Sequence, residues 1–144
     1  MAVIREATEA DLASICALGE EVNALHHQAF PAIFAGPGSP ERDRAHWNNS
    51  VGRPDSTCFV AVETNVVVGF VTVAVTTEIH SLLQPVSFGR VGSVGVTAGM
   101  RGHGIGAALM RQAEQWASGH GATELRLNVW SFNEPALAMY RELG

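Results

Sequence analysis

The chain has 144 residues, enough for one folded domain with a sizeable core, and 47% hydrophobic against 16% charged residues excludes a disordered chain. A net charge of -5, with the few basic residues scattered, speaks against a nucleic-acid partner and suits a cationic small molecule or peptide. No apolar run is long enough to span a bilayer, and Met1-Ala2 leads straight into strand-like Val3-Ile4, so the expectation is a cytoplasmic protein with no signal peptide and no membrane contact.

Val3 to Ala7 reads as a first strand. Thr8 follows as a helix N-cap with Glu9 and Asp11 in the first turn, and Leu12, Ile15, Cys16, Val22 and Leu25 recur at helical spacing, which predicts a helix over 10–27. Turn chemistry over 35–40 separates it from a short helix over 41–49. Cys58 to Glu63 and the β-branched run Val66 to Thr76 form a hairpin about Thr64-Asn65, and Phe88 to Val96 is a fourth strand reached through an irregular loop around Ser81 to Pro85. A helix burying Ile105, Leu109, Ala113 and Trp116 ends at Gly119 to Gly121. A fifth strand over Leu125 to Val129 and a last helix that begins at Pro135 complete the chain. The two cysteines, Cys16 and Cys58, lack the short spacings of zinc or redox sites and read as buried free thiols.

The most informative stretch is Val94 to Met110, a strand, a glycine-rich turn and a helix start. Gly102, Gly104 and Gly106 alternate with His103 and Ile105, and residues without a Cβ allow a sharp turn with a ligand lying against it. The unpaired N–H groups at the helix start and the helix dipole together suit an anionic group such as a phosphate. Gly102-x-Gly104-x-x-Ala107 also fits the dinucleotide fingerprint, but Glu124, at the expected distance for a ribose carboxylate, precedes its strand instead of ending it. No Lys-Ser or Lys-Thr follows the glycines, which excludes a P-loop.

Arg101-x-x-Gly104-x-Gly106, preceded by Val94-Gly95-Val96, resembles the acetyl-CoA-binding motif of the GNAT superfamily of N-acetyltransferases. Asn133, Ala136 and Tyr140 resemble that family's C-terminal segment, in the same order and at the usual separation. The resemblance implies one α/β (α+β) domain over 1–144, with a mixed, mostly antiparallel central sheet and helices on both faces. Family members usually continue beyond the position of Gly144 with further strand. Transfer of an acetyl group from acetyl-CoA to a small-molecule or peptide amine is the implied activity.

The resemblance assigns the backbone from Arg101 through Gly102, His103, Gly104, Ile105 and Gly106 to Ala107 to the pyrophosphate. It assigns Val94, Gly95 and Val96 to the pantetheine arm and thioester where strands four and five splay, Asn133 to the pantetheine or to capping the last helix, and Tyr140 to the general acid for the departing thiolate. The positions that carry a carboxylate base in many members are Gly92 and Ser93 on strand four and Asn128 on strand five here. That leaves Glu78 and His80, at the end of the third strand, as candidate bases acting through water. Glu20, Glu21, His26 and His27 on the first helix are candidates for holding a cationic acceptor.

Adjacent His26 and His27 point to different sides of a helix, and no metal is expected. Trp47, Trp116 and Trp130 read as core or pocket wall. A catalytically weak acyl-CoA-binding sensor is the alternative to an enzyme, and a nicotinamide dehydrogenase is the weakest reading. An exposed fifth-strand edge would favour a homodimer.

Overall fold

The computed structural model describes residues 2–29, 31–32, 40–100, 102–127 and 141. Five strands form one sheet in sequence order: β1 (Val3–Glu6), β2 (Ser56–Glu63), β3 (Val66–His80), β4 (Leu83–Val96) and β5 (Glu124–Leu127). β1 through β4 run as an antiparallel meander, and β5 pairs parallel to β4 from Phe88↔Glu124 to Val91↔Leu127. The expected mixed, mostly antiparallel sheet is therefore present. A meander of four strands excludes the doubly wound sheet of a dinucleotide-binding enzyme.

Helices cover both faces. α3 (Ile105–Gly119), the crossover between β4 and β5, buries Ile105, Leu109, Met110, Ala113 and Ala117 against Phe59, Ala61, Val71, Val73 and Val91. α1 (Leu12–Ala29) buries Ile15 and Leu18 on the opposite face against Cys58, Val60 and Phe70. α2 (Pro40–Asn48) adds Trp47 to that second core, its ring edge-on to Phe70 at 5.1 Å. The tryptophan expectation holds for Trp47 and for Trp116, half-buried against the α3 core and stacked on His120. Trp130 lies outside the described residues.

Local chemistry explains the element ends. Thr8 and Asp11 form a reciprocal capping box at a short 3-10 turn over Glu9–Asp11, which then runs into α1, so the helix proper starts two residues later than the periodicity suggests. Arg5 holds Asp11 from β1, with Nη1 and Nη2 donating to the two carboxylate oxygens at 2.8 and 3.0 Å, and holds that carboxyl below the usual aspartate range. Thr64 and Asn65 both adopt positive φ, 51° and 63°, the backbone of a two-residue hairpin turn.

The expected loop between the third and fourth strands is corrected. Ser81 to Pro85 is not an irregular loop: β3 continues to His80, β4 begins at Leu83, and only Ser81-Leu82 turn between them. The apolar pattern stops near Thr76 because the hairpin extends past its neighbours, with β2 pairing β3 only as far as Ala74 and β5 pairing β4 only from Phe88. Ile79, Leu82 and Leu83 are exposed there, so burial leaves no alternation to read.

Candidate active site

The fourth strand changes face part-way along. Thr72 pairs with Ser93 but Val73 pairs with Val91, so Gly92 is an extra residue, a β-bulge. Before it Val91 faces α3; after it Val94 and Val96 do, while Gly95 turns to α1. The bulge leaves the Ser93 N–H without its ladder position, and the buried hydroxyl of Thr72 accepts it at 2.9 Å. A Cβ on Gly92 would stand 2.8 Å from that same oxygen, so glycine and threonine are matched here. On the other face a Cβ on Gly95 would meet Phe70 at 2.8 Å and Val22 of α1 at 2.9 Å, which brings α1 down onto the C-terminal end of β4.

Past Val96 a 3-10 turn, Ala98–Met100, leads to the glycines. Gly102 and Gly104 have φ of 83° and 77°, a left-handed conformation strained for other residues, and a Cβ on either would enter open space. Gly104 is the N-cap of α3 and offers no side-chain cap, and the Ala108 N–H donates to the Gly104 carbonyl at 3.1 Å. By helix geometry the N–H groups of Ile105, Gly106 and Ala107 have no intrahelical acceptor. They open toward the exposed glycine turn while the Ile105 side chain is buried in the core and fixes the helix end to the sheet. A diphosphate fits this cradle of backbone donors.

Val94, Gly95, Val96, Gly102, His103, Gly104, Ile105, Gly106 and Ala107 thus form one continuous stretch along β4, the turn and the start of α3. Arg101, Asn133 and Tyr140 lie outside the described residues, as does Asn128. Glu78 and His80 stand elsewhere. Val94 pairs with Val71, whereas Glu78 is seven residues further along β3, about 23 Å at strand rise. Glu78 is ion-paired with Arg126 at 3.5 Å, and the Nδ1 of His80 accepts the Leu82 N–H at 3.1 Å in the hairpin turn. From these positions neither side chain reaches an amine held beside Val94 of the same chain.

The acidic residues of α1 divide between two faces. Glu21 lies beside Val22, and its Oε1 accepts the Ala98 N–H at 3.1 Å. Glu20 and His27 line a cavity of about 200 Å³ with Asn23, Ala24 and Gln28. At about 100° per residue that face is turned away from the sheet contact of Leu18 and Val22. The His26 side chain lies outside the described residues. Among the described residues no three potential metal ligands cluster, and no helix is long and apolar enough to cross a membrane. The two cysteines are free, with Cys58 buried and Cys16 half-buried, and burial pushes the Cys58 thiol up to about 12.

Sequence reading did not anticipate the bulge, the role of Thr72 or the Glu21 contact. The first had a signal, because the apolar alternation passes from an odd position at Val91 to even positions at Val94 and Val96. The other two are long-range contacts to backbone amides, which leave no local pattern.

A bulged fourth strand running into a glycine turn and a helix, with a parallel fifth strand beyond it, defines an α/β protein with an uncapped helix start at the end of that turn. The profile of the Acetyltransferase (GNAT) family matches residues 20–144, and the chain belongs to that family. Streptothricin acetyltransferase of Streptomyces lavendulae is 47% identical over 49 residues, a match spanning 34% of this chain and only 26% of that protein. Among solved structures, a mutant of the BH1408 protein from Bacillus halodurans superposes with a TM-score of 0.87 at 24% identity, covering 99% of this chain and 91% of that one. An aminoglycoside N-acetyltransferase in complex with coenzyme A superposes with a TM-score of 0.74 at 17% identity, covering 100% and 87%.

Proposed function

We propose that this chain is an N-acetyltransferase that moves the acetyl group of acetyl-CoA to a primary amine of a small molecule or peptide. The observation that carries the reading is the N-terminus of α3, uncapped by any side chain and following the left-handed glycines, in a chain of the GNAT family. The amides from Gly102 to Ala107, with Arg101 ahead of them, would hold the diphosphate, and the backbone of Val94 to Val96 the pantetheine amides. Acetyl-CoA supplies an activated acyl group with a thiolate leaving group. The Val94 N–H is the donor assigned to the thioester oxygen as negative charge develops on it. Tyr140 is the group assigned to protonate the departing sulfur, and Asn133 to orient the arm or cap the last helix.

An amine is also the acceptor class named for the structural relative that acts on aminoglycosides, and the acidic balance of this chain favours a cationic substrate. A cytoplasmic setting and pairing of two copies through the β5 edge belong to the same reading, and sedimentation over a wide concentration range tests the pairing.

The experiment is a thermal-shift comparison of acetyl-CoA, coenzyme A and NAD, followed by thiol release with polyamines, aminoglycosides, amino acids and peptides. Stabilisation by acetyl-CoA with thiol release is expected. Stabilisation without release across the panel would favour an acyl-CoA sensor, a reading supported by glycine and serine at the strand-four positions where many members carry a carboxylate. Protection by NAD alone would overturn both.

A further inference from the structure

We propose that Glu21 is a positioning residue that tethers the glycine loop to the first helix and so sets acyl-CoA affinity, a role that rests on the acetyltransferase reading of the loop. The base of the loop is held from two sides. The Thr97 N–H donates to the Val68 carbonyl of β3 at 2.9 Å, and the next amide, Ala98, donates to Glu21 Oε1 of α1 at 3.1 Å. Beyond these anchors Met100 packs against the α3 core, while Gly99, Gly102 and Gly104 have open space at the Cβ position and add no side-chain packing to fix the loop's path.

Glu21 can serve as an anchor because α1 itself is fixed. Ile15 and Leu18 are buried on the sheet, and Val22 packs where a Cβ on Gly95 would be, so the carboxylate stands on a rigid helix over the end of β4. A long acidic side chain here has a Coulombic cost when a diphosphate binds nearby. It is the acceptor oxygen that the geometry uses, and glutamine supplies that oxygen without the charge. The expected order of acyl-CoA affinity is therefore Glu21→Gln at or above wild type, and Glu21→Ala below both. Loss of one such hydrogen bond corresponds to a weakening of about three- to tenfold.

The test has two arms. Ligand-free amide hydrogen exchange should show faster exchange at Ala98 and through the loop in Glu21→Ala, restored in Glu21→Gln. Coenzyme A titration and steady-state kinetics should show the alanine variant raised in Kd and in KM for acetyl-CoA by about three- to tenfold with kcat little changed. Unchanged loop exchange in Glu21→Ala would overturn the tether. A defect common to both variants and confined to the KM of a cationic acceptor would overturn it in favour of a charge contact with substrate. Faster loop exchange in Glu21→Ala, together with no coenzyme A binding by the wild type, would overturn the acetyltransferase reading while leaving the tether standing.

Discussion

Thr72→Val removes one oxygen from the middle of the sheet and keeps the side chain's shape, so it isolates the contact that holds the β4 bulge. Thr72 is 6% exposed, and its hydroxyl accepts the Ser93 N–H at 2.9 Å. Valine would leave that amide without its acceptor. A fully buried orphan costs about 1–3 kcal/mol, and Ser93 is half-buried, so the lower half of the range applies. Replacing a buried hydroxyl by a methyl returns part of this, leaving about 1 kcal/mol of destabilisation. For a chain of this size that is a fall in Tm of roughly 2–4 °C.

Activity should fall further than stability. The bulge sets which way Val94 and Val96 face, and a donor displaced by about 1 Å can lose about a hundredfold in rate. Thermal melting, coenzyme A titration and thiol release on wild type, Thr72→Val and Thr72→Ser make the assay, with serine retaining the acceptor. A valine variant with wild-type Tm and wild-type kcat/KM would refute the claim that this hydroxyl holds the strand.

Gly104→Asp should abolish coenzyme A binding in a folded protein, because φ of 77° strains a side-chain residue and the added carboxylate faces the diphosphate; calorimetric titration beside a far-UV spectrum checks both. Tyr140→Phe should lower turnover more than acetyl-CoA affinity, and unchanged turnover would remove Tyr140 as the required acid. Arg5 holds the Asp11 pKa down in the fold, so the pair stabilises the protein fully above the ordinary aspartate pKa of about 4 and loses that contribution as pH falls through the depressed value. The Tm gap between wild type and Asp11→Asn should hold from neutral pH to about 4 and close below it; a gap unchanged in strong acid would contradict the assignment. In native protein a thiol reagent should label Cys16 well before Cys58, whose burial raises its pKa to about 12, and equal rates would contradict that burial.

The elements read correctly from sequence are those whose burial has a simple period. α3 shows its apolar face because it packs one side on the sheet, and β2 with the first half of β3 shows a β-branched run because both of its faces are covered. The glycine turn is legible because its residues are chosen for backbone conformation. The far half of the β3–β4 hairpin carries no apolar alternation because Ile79, Leu82 and Leu83 are exposed there, and its length comes from pairing between the two strands. Glu78 and His80 were attractive as candidates only while their position along β3 was unknown, since register decides distance and composition does not.

The bulge also bears on the carboxylate positions at strand four. A side chain at 92 would collide with the Thr72 oxygen at 2.8 Å, and that oxygen is occupied in satisfying Ser93. A carboxylate at 92 would therefore require the Thr72 hydroxyl that holds the bulge to shift. Glu78 lies about 23 Å along the sheet from the partner of Val94 and His80 two residues further, so on the proposed reading the acceptor's deprotonation would fall to ordered water. Such an arrangement works best on amines that arrive neutral, so turnover should rise with pH up to the acceptor's own pKa and move with that pKa from one acceptor to another. A pH profile that kept the same midpoint across acceptors of different basicity would instead locate the titrating group on the protein.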